Sequence, residues 1–303
     1  MVAGRRGQGL LPWRRMRRFV LCLGAAGWMT FGGCDAKDPP AGDGKRPVEA
    51  ETKSESKPET KSESESKPES ETESKPAPKA GPHEIATADG GSVFADHFPV
   101  DAGARAPLIL LFHQAGWNAG EYTPIVPRLN ELGFAALATD QRSGGDRDGA
   151  KNRTVGARGT STTYLEAYPD LEAALGWAKQ HYEGPVVVWG SSYSAALVFK
   201  LASEHPKDTA AVLSFSPGEY MGDQGTVAGW AKGVTQPLFV TSAPGDEVAA
   251  AKVIVEATPS QRKVQHVPDK GVHGSSILRA DKNAGGTEAV WTAVEKFLQD
   301  VAS

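Results

Sequence analysis

Residues 186–198 read Val-Val-Val-Trp-Gly-Ser-Ser-Tyr-Ser-Ala-Ala-Leu-Val, and no other stretch limits the fold as tightly. Three β-branched residues and a tryptophan predict a short buried strand. Small residues then form a turn, and Ser194-Ala195-Ala196-Leu197-Val198 opens a helix. Strand, tight turn and helix come in succession with a serine at the apex. Gly190-Ser191-Ser192-Tyr193-Ser194 fits the pattern Gly-x-Ser-x-Gly with Ser194 at the last position. In such a turn the residues two before and two after the apex approach closely, so both must be small. Ser192 is the nucleophile in this register, because Ser191 at the apex would need a small residue where Trp189 stands. The plain alternative is an ordinary Ser/Gly turn.

Composition is uneven along the 303 residues, and the net charge of -4 argues against a nucleic-acid surface. Arg14, Arg15, Arg17 and Arg18 precede an apolar run over 19–31, the layout of an export signal. The run is too short for a comfortable membrane span. It ends in Phe31-Gly32-Gly33-Cys34, which resembles the bacterial lipobox, with Phe31 where leucine is usual. That resemblance implies lipidation at Cys34, a membrane anchor and a place in the bacterial cell envelope outside the cytoplasm. A cleaved signal without lipid is the alternative. The chain has two cysteines, Cys22 and Cys34, so nothing after Cys34 can form a disulfide. Residues 35–82 repeat Ser, Glu, Lys, Thr and Pro with few large apolar side chains. Such a segment cannot offset the entropy of ordering and is expected to be a disordered linker, with a mean reach of roughly 40 Å.

Residues 83–303 carry the globular pattern and are long enough for one core. Apolar runs at 108–112, 135–139, 186–189, 211–215, 237–241 and 264–267 predict strands covered on both faces. Between them Tyr122, Ile125, Val126, Leu129 and Leu132 share one helical face. Leu171, Leu175 and Ala178 share another, and Val290, Trp291, Val294, Phe297 and Leu298 form the last. The alternation predicts an α/β domain with a mainly parallel sheet and helices on both faces. Asp89-Gly90-Gly91 before 93–98 predicts an antiparallel hairpin at one edge.

Ligands of such sheets sit beyond the carboxyl ends of the strands. After 108–112 comes His113-Gln114-Ala115-Gly116-Trp117-Asn118. A tetrahedral intermediate needs backbone N–H donors. Tyr193, next after the serine, is expected to supply one, and Gln114 or Ala115 the other. His113 reads as a structural histidine, since it precedes the nucleophile. After 237–241 comes Ser242-Ala243-Pro244-Gly245-Asp246-Glu247. Asp246 is the expected acid behind the base, with Glu247 an adjacent fallback and Asp223 a remoter one. A helix-capping role for Asp246 is the structural alternative. After 264–267 comes Pro268-Asp269-Lys270-Gly271-Val272-His273-Gly274-Ser275, whose His273 is the expected general base. His266 reads as strand filler.

Ser192, Asp246 and His273 thus run in the order Ser…Asp…His, each just past a strand. With Leu111-Phe112-His113-Gln114-Ala115-Gly116, Ala138-Thr139-Asp140-Gln141-Arg142-Ser143-Gly144-Gly145, the elbow, Pro244-Gly245-Asp246-Glu247 and Val272-His273-Gly274, residues from about 85 to 302 resemble the α/β-hydrolase superfamily. Within it they resemble the dienelactone-hydrolase-like branch. Dienelactone hydrolase proper uses a cysteine nucleophile, so Ser192 does not carry over its substrate. The resemblance implies a serine hydrolase that cleaves a small-molecule carboxylic ester or related acyl bond through an acyl-enzyme, with no metal or cofactor. The segment from Ser216 to Thr235 leaves no room for a large lid. Trp117, Tyr220 and Trp230 are candidates to line the acyl pocket. The seven histidines show no His-x-His or His-Glu-x-x-His spacing, so no metal site is expected. A peptidase or acyltransferase on the same fold, or a tethered non-catalytic binding module, are the other readings.

Overall fold

A computed structural model describes residues 76–302. The expected signal 1–34 with Cys34, and the linker as far as residue 75, lie outside the described residues. The first strand, β1 (Gly81–Ala86), begins two residues inside the segment read as linker. It pairs antiparallel with β2 (Ser92–Phe98), with Gly81 opposite His97. The carbonyl of Lys79, just before β1, accepts from His83 Nε2 at 2.9 Å and His97 Nδ1 at 3.0 Å.

The remaining strands are β3 (Leu108–Phe112), β4 (Ala135–Asp140), β5 (Val186–Ser191), β6 (Ala211–Phe215), β7 (Leu238–Thr241) and β8 (Lys263–His266). Together they form one eight-stranded sheet in the order β1-β2-β4-β3-β5-β6-β7-β8. All pairs from β4 to β8 are parallel, and the hairpin makes the antiparallel edge. Because β2 runs against both β1 and β4, β1 points the same way as the parallel strands.

Period-two alternation sorts the core into two layers. Leu108, Leu110 and Phe112 pack with α3 (Tyr168–His181), α4 (Tyr193–Glu204), α5 (Thr226–Ala231) and α6 (Asp246–Ala257). Ile109 and Leu111 pack with α1 (Val126–Glu131) and α7 (Thr287–Ala302) on the other face. The strands are buried at every position of β3, β4, β5, β6 and β7, which is why they read as continuous apolar runs. Edge strand β8 differs: Val264 is 45% exposed and Val267, just past it, 52%.

One helix lacks a sequence signal. Segment 153–158 folds as α2 (Arg153–Arg158), capped by the Asn152 side chain, which accepts from Val155 N–H at 2.8 Å. Arg153 pins it to the sheet through Asp140 at 2.6 Å and Asp96 at 2.8 Å. Its six residues contain a glycine and two β-branched residues, Thr154 and Val155, so propensity gives no helical pattern; tertiary ion pairs supply the hold.

Strands β4 and β5 leave opposite sides of β3, which opens a crevice at their carboxyl ends. The register sets the strand ends level with one another. Phe112 lies beside Gly190, Ser191 beside Phe215, Phe215 beside Thr241, and Thr241 beside His266. The loops starting at 113, 192, 216, 242 and 267 therefore stand side by side along one end of the sheet.

Candidate active site

The apex of the turn between β5 and α4 is Ser192, at φ 59° and ψ −120°. A non-glycine residue rarely adopts this backbone, at a cost of about 1–3 kcal/mol. The turn is held by Ser192 N–H donating to Phe215 O at 2.8 Å and by the packing of α4 on the sheet. A Cβ at Gly190 would lie 2.2 Å from Ser194 O, so position 190 has to be glycine. Position 194 tolerates serine because the hydroxyl is used. Ser194 Oγ donates to His113 O and accepts from Gln141 Nε2, each at 2.6 Å.

His273 stands over this apex, its Nε2 2.7 Å from Ser192 Oγ. Its Nδ1 is 2.9 Å from Glu247 Oε1. An ionised carboxylate can only accept, so Nδ1 carries the hydrogen and Nε2 is left to accept from the serine hydroxyl. Burial acts to raise the Glu247 carboxyl, but hydrogen bonds from His273 and Ser216, the attraction of His273 and the Ala243 N–H outweigh it. The group is held below its ordinary range. The imidazole and carboxylate remain partly open to solvent, 39% and 31% exposed.

The carboxylate that meets His273 is therefore one residue away from the one expected. Asp246 is exposed and makes no hydrogen bond to His273. Helix α6 begins at Asp246, and consecutive helical side chains point about 100° apart, so only one of the pair can face the histidine. Glu247 faces it, and its extra methylene spans the gap. Asp223 is exposed in the loop before α5. Ser216, which the sequence reading missed, also has positive φ, 58°. Its Oγ accepts from Gly274 N–H at 2.9 Å and favours the charged form of Glu247. A serine directly after a strand carries no sequence signal of its own.

Of the expected backbone donors, Gln114 N–H is already taken, donating to Glu121 Oε2 at 2.9 Å. Ala115 N–H has no acceptor within the described residues. Tyr193 N–H sits at the first position of α4, where no intrahelical acceptor exists. The Tyr193 ring points into the core, its hydroxyl meeting Ser143 Oγ at 2.7 Å. It stacks on Tyr164 with ring centres 4.5 Å apart. His113 is fully buried beneath the loop, its Nδ1 donating to Gln114 O and its Nε2 accepting from Gln141 N–H. Burial lowers it to about 4, so it stays neutral.

The three aromatic candidates part company. Tyr220 is near the acid: its hydroxyl donates to Ser216 O at 3.0 Å, and burial with the Glu247 charge pushes it up to about 12. Trp117 belongs to another neighbourhood, with the guanidinium of Arg279 5.0 Å and that of Arg147 5.4 Å from its ring centre. Those two arginines line a cleft of about 730 Å³ to which neither Ser192 nor His273 contributes. Trp230 packs from α5 against the core. Among the described residues Glu172, Glu204 and His205 bring three ligand atoms within 4.8 Å of one another. Glu204 there is already paired with Lys200 and Tyr168.

Comparison with known proteins agrees with this fold. The chain is similar in fold to the esterase Est1E from Butyrivibrio proteoclasticus (16% identity, 73% of this chain and 99% of that one, TM-score 0.55). It is similar to the Pyrococcus furiosus esterase Pf2001 (20%, 73% and 92%, TM-score 0.57). A third likeness is to a dienelactone hydrolase from Anabaena variabilis (15%, 75% and 100%, TM-score 0.55). No curated protein sequence matches. The model of the family described as "Serine aminopeptidase, S33" matches residues 103–268, more than half of the chain. With its mostly parallel sheet, covered on both faces, the chain is an α/β hydrolase and belongs to that S33 family.

Proposed function

We propose that the protein is a serine hydrolase that cleaves a small-molecule carboxylic ester through an acyl-enzyme on Ser192. The observation that carries this reading is the unbroken line Ser192 Oγ–His273 Nε2, His273 Nδ1–Glu247 Oε1, at 2.7 and 2.9 Å. His273 takes the Ser192 proton as the oxygen attacks the acyl carbon, and Glu247 stabilises the imidazolium. Ala115 and Tyr193 N–H groups receive the oxyanion. The imidazolium then gives its proton to the leaving alcohol. Water, deprotonated by His273, releases the acid and restores the hydroxyl. No step calls for a metal or cofactor.

The fold neighbours named as esterases favour ester over amide substrates. The description of the matching family favours a second reading, a peptidase releasing an amine by the same steps. The export signal and Cys34 support a lipid-anchored enzyme in the bacterial cell envelope, with its hydrolase domain outside the cytoplasm. Hydrolysis of p-nitrophenyl butyrate against peptide anilides separates the two substrate classes. Ser192→Ala is expected to lose at least about 10⁴-fold in kcat; full activity in that variant rejects the reading.

A further inference from the structure

Ser192, His273 and the oxyanion donor sit on three separate loops, and one buried carboxylate touches or reaches all three. Glu121 ends the 3-10 turn Ala119–Glu121 and is fully buried. Its Oε2 accepts from Gln114 N–H at 2.9 Å. Its Oε1 accepts from Gln114 Nε2 at 2.8 Å and from Ser191 Oγ at 2.9 Å. Ser191 Oγ in turn accepts from Ser275 N–H at 2.8 Å. Gln114 Nε2 also donates to Ser276 Oγ at 3.1 Å.

The positions matter. Gln114 immediately precedes Ala115, Ser191 immediately precedes Ser192, and Ser275 lies two residues after His273. By occupying Gln114 N–H, Glu121 leaves Ala115 as the free donor of that loop. The histidine loop also approaches the elbow closely: a Cβ at Gly274 would come within 2.5 Å of Ser191 Oγ. All three groups on Glu121 are donors, a set that an ionised carboxylate satisfies and an amide cannot.

The charge has little compensation. Arg279 is the cation acting on it, and that guanidinium already pairs with Asp148 and Asp281. The hydroxyls of Tyr122 and Tyr193 and the neutral His113 complete the titratable surroundings. Burial pushes Glu121 up to about 7, against hydrogen bonds from Gln114 and Ser191 and the Arg279 charge.

We propose that Glu121 is a positioning residue for the hydrolysis described above: ionised, it locks Gln114, Ser191 and Ser275 so that Ala115, Ser192 and His273 stand in register, and protonation releases Ser191 and lowers turnover. This rests on the serine-hydrolase reading. Protonated Glu121 no longer offers three acceptor contacts, so Ser191 loses its acceptor and the tie to the histidine loop slackens. Low pH then acts on the site through Glu121, which holds no contact with the reacting atoms.

Glu121→Gln in the whole protein tests this. Expected are a 10–100-fold lower kcat with KM within threefold, and a low-pH limb of log kcat/KM shallower than that of the wild type by the one proton that Glu121 takes up. In the wild type, amide resonances of Gln114 and Ser275 should titrate with one shared midpoint that the variant lacks. A kcat within twofold and an unchanged slope overturn the proposal, as do amides that titrate independently. If Glu121→Gln does not fold, Ser191→Ala keeps both Gln114 bonds and cuts the tie to Ser275; an unchanged slope there overturns it equally. A wild type that neither turns over esters nor is labelled at Ser192 by a reactive phosphonate refutes the hydrolase reading. The shared amide titration then still decides whether Glu121 couples the loops.

Discussion

Glu247 and Glu121 stand at the same end of the same sheet, and the fold gives them opposite chemistry. Glu247 is about one-third exposed and meets a histidine and a serine, which keep it ionised below its ordinary range. Glu121 is fully buried, meets three neutral donors and no direct cation among the described residues, and rises to about 7. The lesson is that desolvation and partner charge, rather than residue type, assign the roles. One carboxylate stabilises charge arising on its neighbour; the other organises backbone and carries a titration of its own.

The comparison breaks most sharply at Glu247. Glu247→Gln should lower kcat about 10⁴-fold, because the amide no longer fixes the His273 tautomer, while Asp246→Asn stays within twofold. Steady-state kinetics on one ester decides it, and a large loss in the Asp246 variant would restore the acid expected from the sequence.

The two glutamates should also give stability opposite dependences on pH. Glu121 has a raised value in the fold, so its contribution is full below 4.5 and is lost as pH rises through about 7. Relative to Glu121→Gln, the wild type should lose on the order of 3 kcal/mol across that window. Glu247 has a lowered value, so its contribution is present above 4.5 and is lost as pH falls below it. Urea unfolding at stepped pH reads both slopes; parallel slopes would erase the contrast.

Smaller effects sharpen the picture. Ser216→Gly suits the positive φ and deletes the hydroxyl that serves Gly274 and Glu247, so kcat should fall about three- to tenfold with little change in stability. Ser194→Gly restores the usual small residue but takes the donor from His113 O and leaves Gln141 Nε2 with the Tyr193 hydroxyl alone. It should cost about 1–3 kcal/mol in unfolding free energy and leave kcat nearly unchanged.

The middle of the sheet was legible because β3 to β7 are buried on both faces and announce themselves as apolar runs. The hairpin was legible from Asp89-Gly90-Gly91. Ser192 and His273 could be placed because each comes just after a strand, and topology brings strand ends together. The choice between Asp246 and Glu247 was not legible, since it depends on the rotation with which α6 starts. Helix α2, held by Arg153 to Asp140 and Asp96, and the Glu121 node depend on contacts between distant residues. No local pattern encodes those. The partners of Trp117 were not legible for the same reason: the place of an aromatic in a loop says nothing about which way its ring turns, here beside Arg279 and Arg147.

Strand β1 shares the direction of the parallel strands, so the polypeptide enters at Gly81 from their amino end, and Ser192 lies at the other. The point of entry and the loops around Ser192 thus occupy opposite ends of the strands. A substrate can therefore reach the crevice without passing the doorway through which the polypeptide itself comes in.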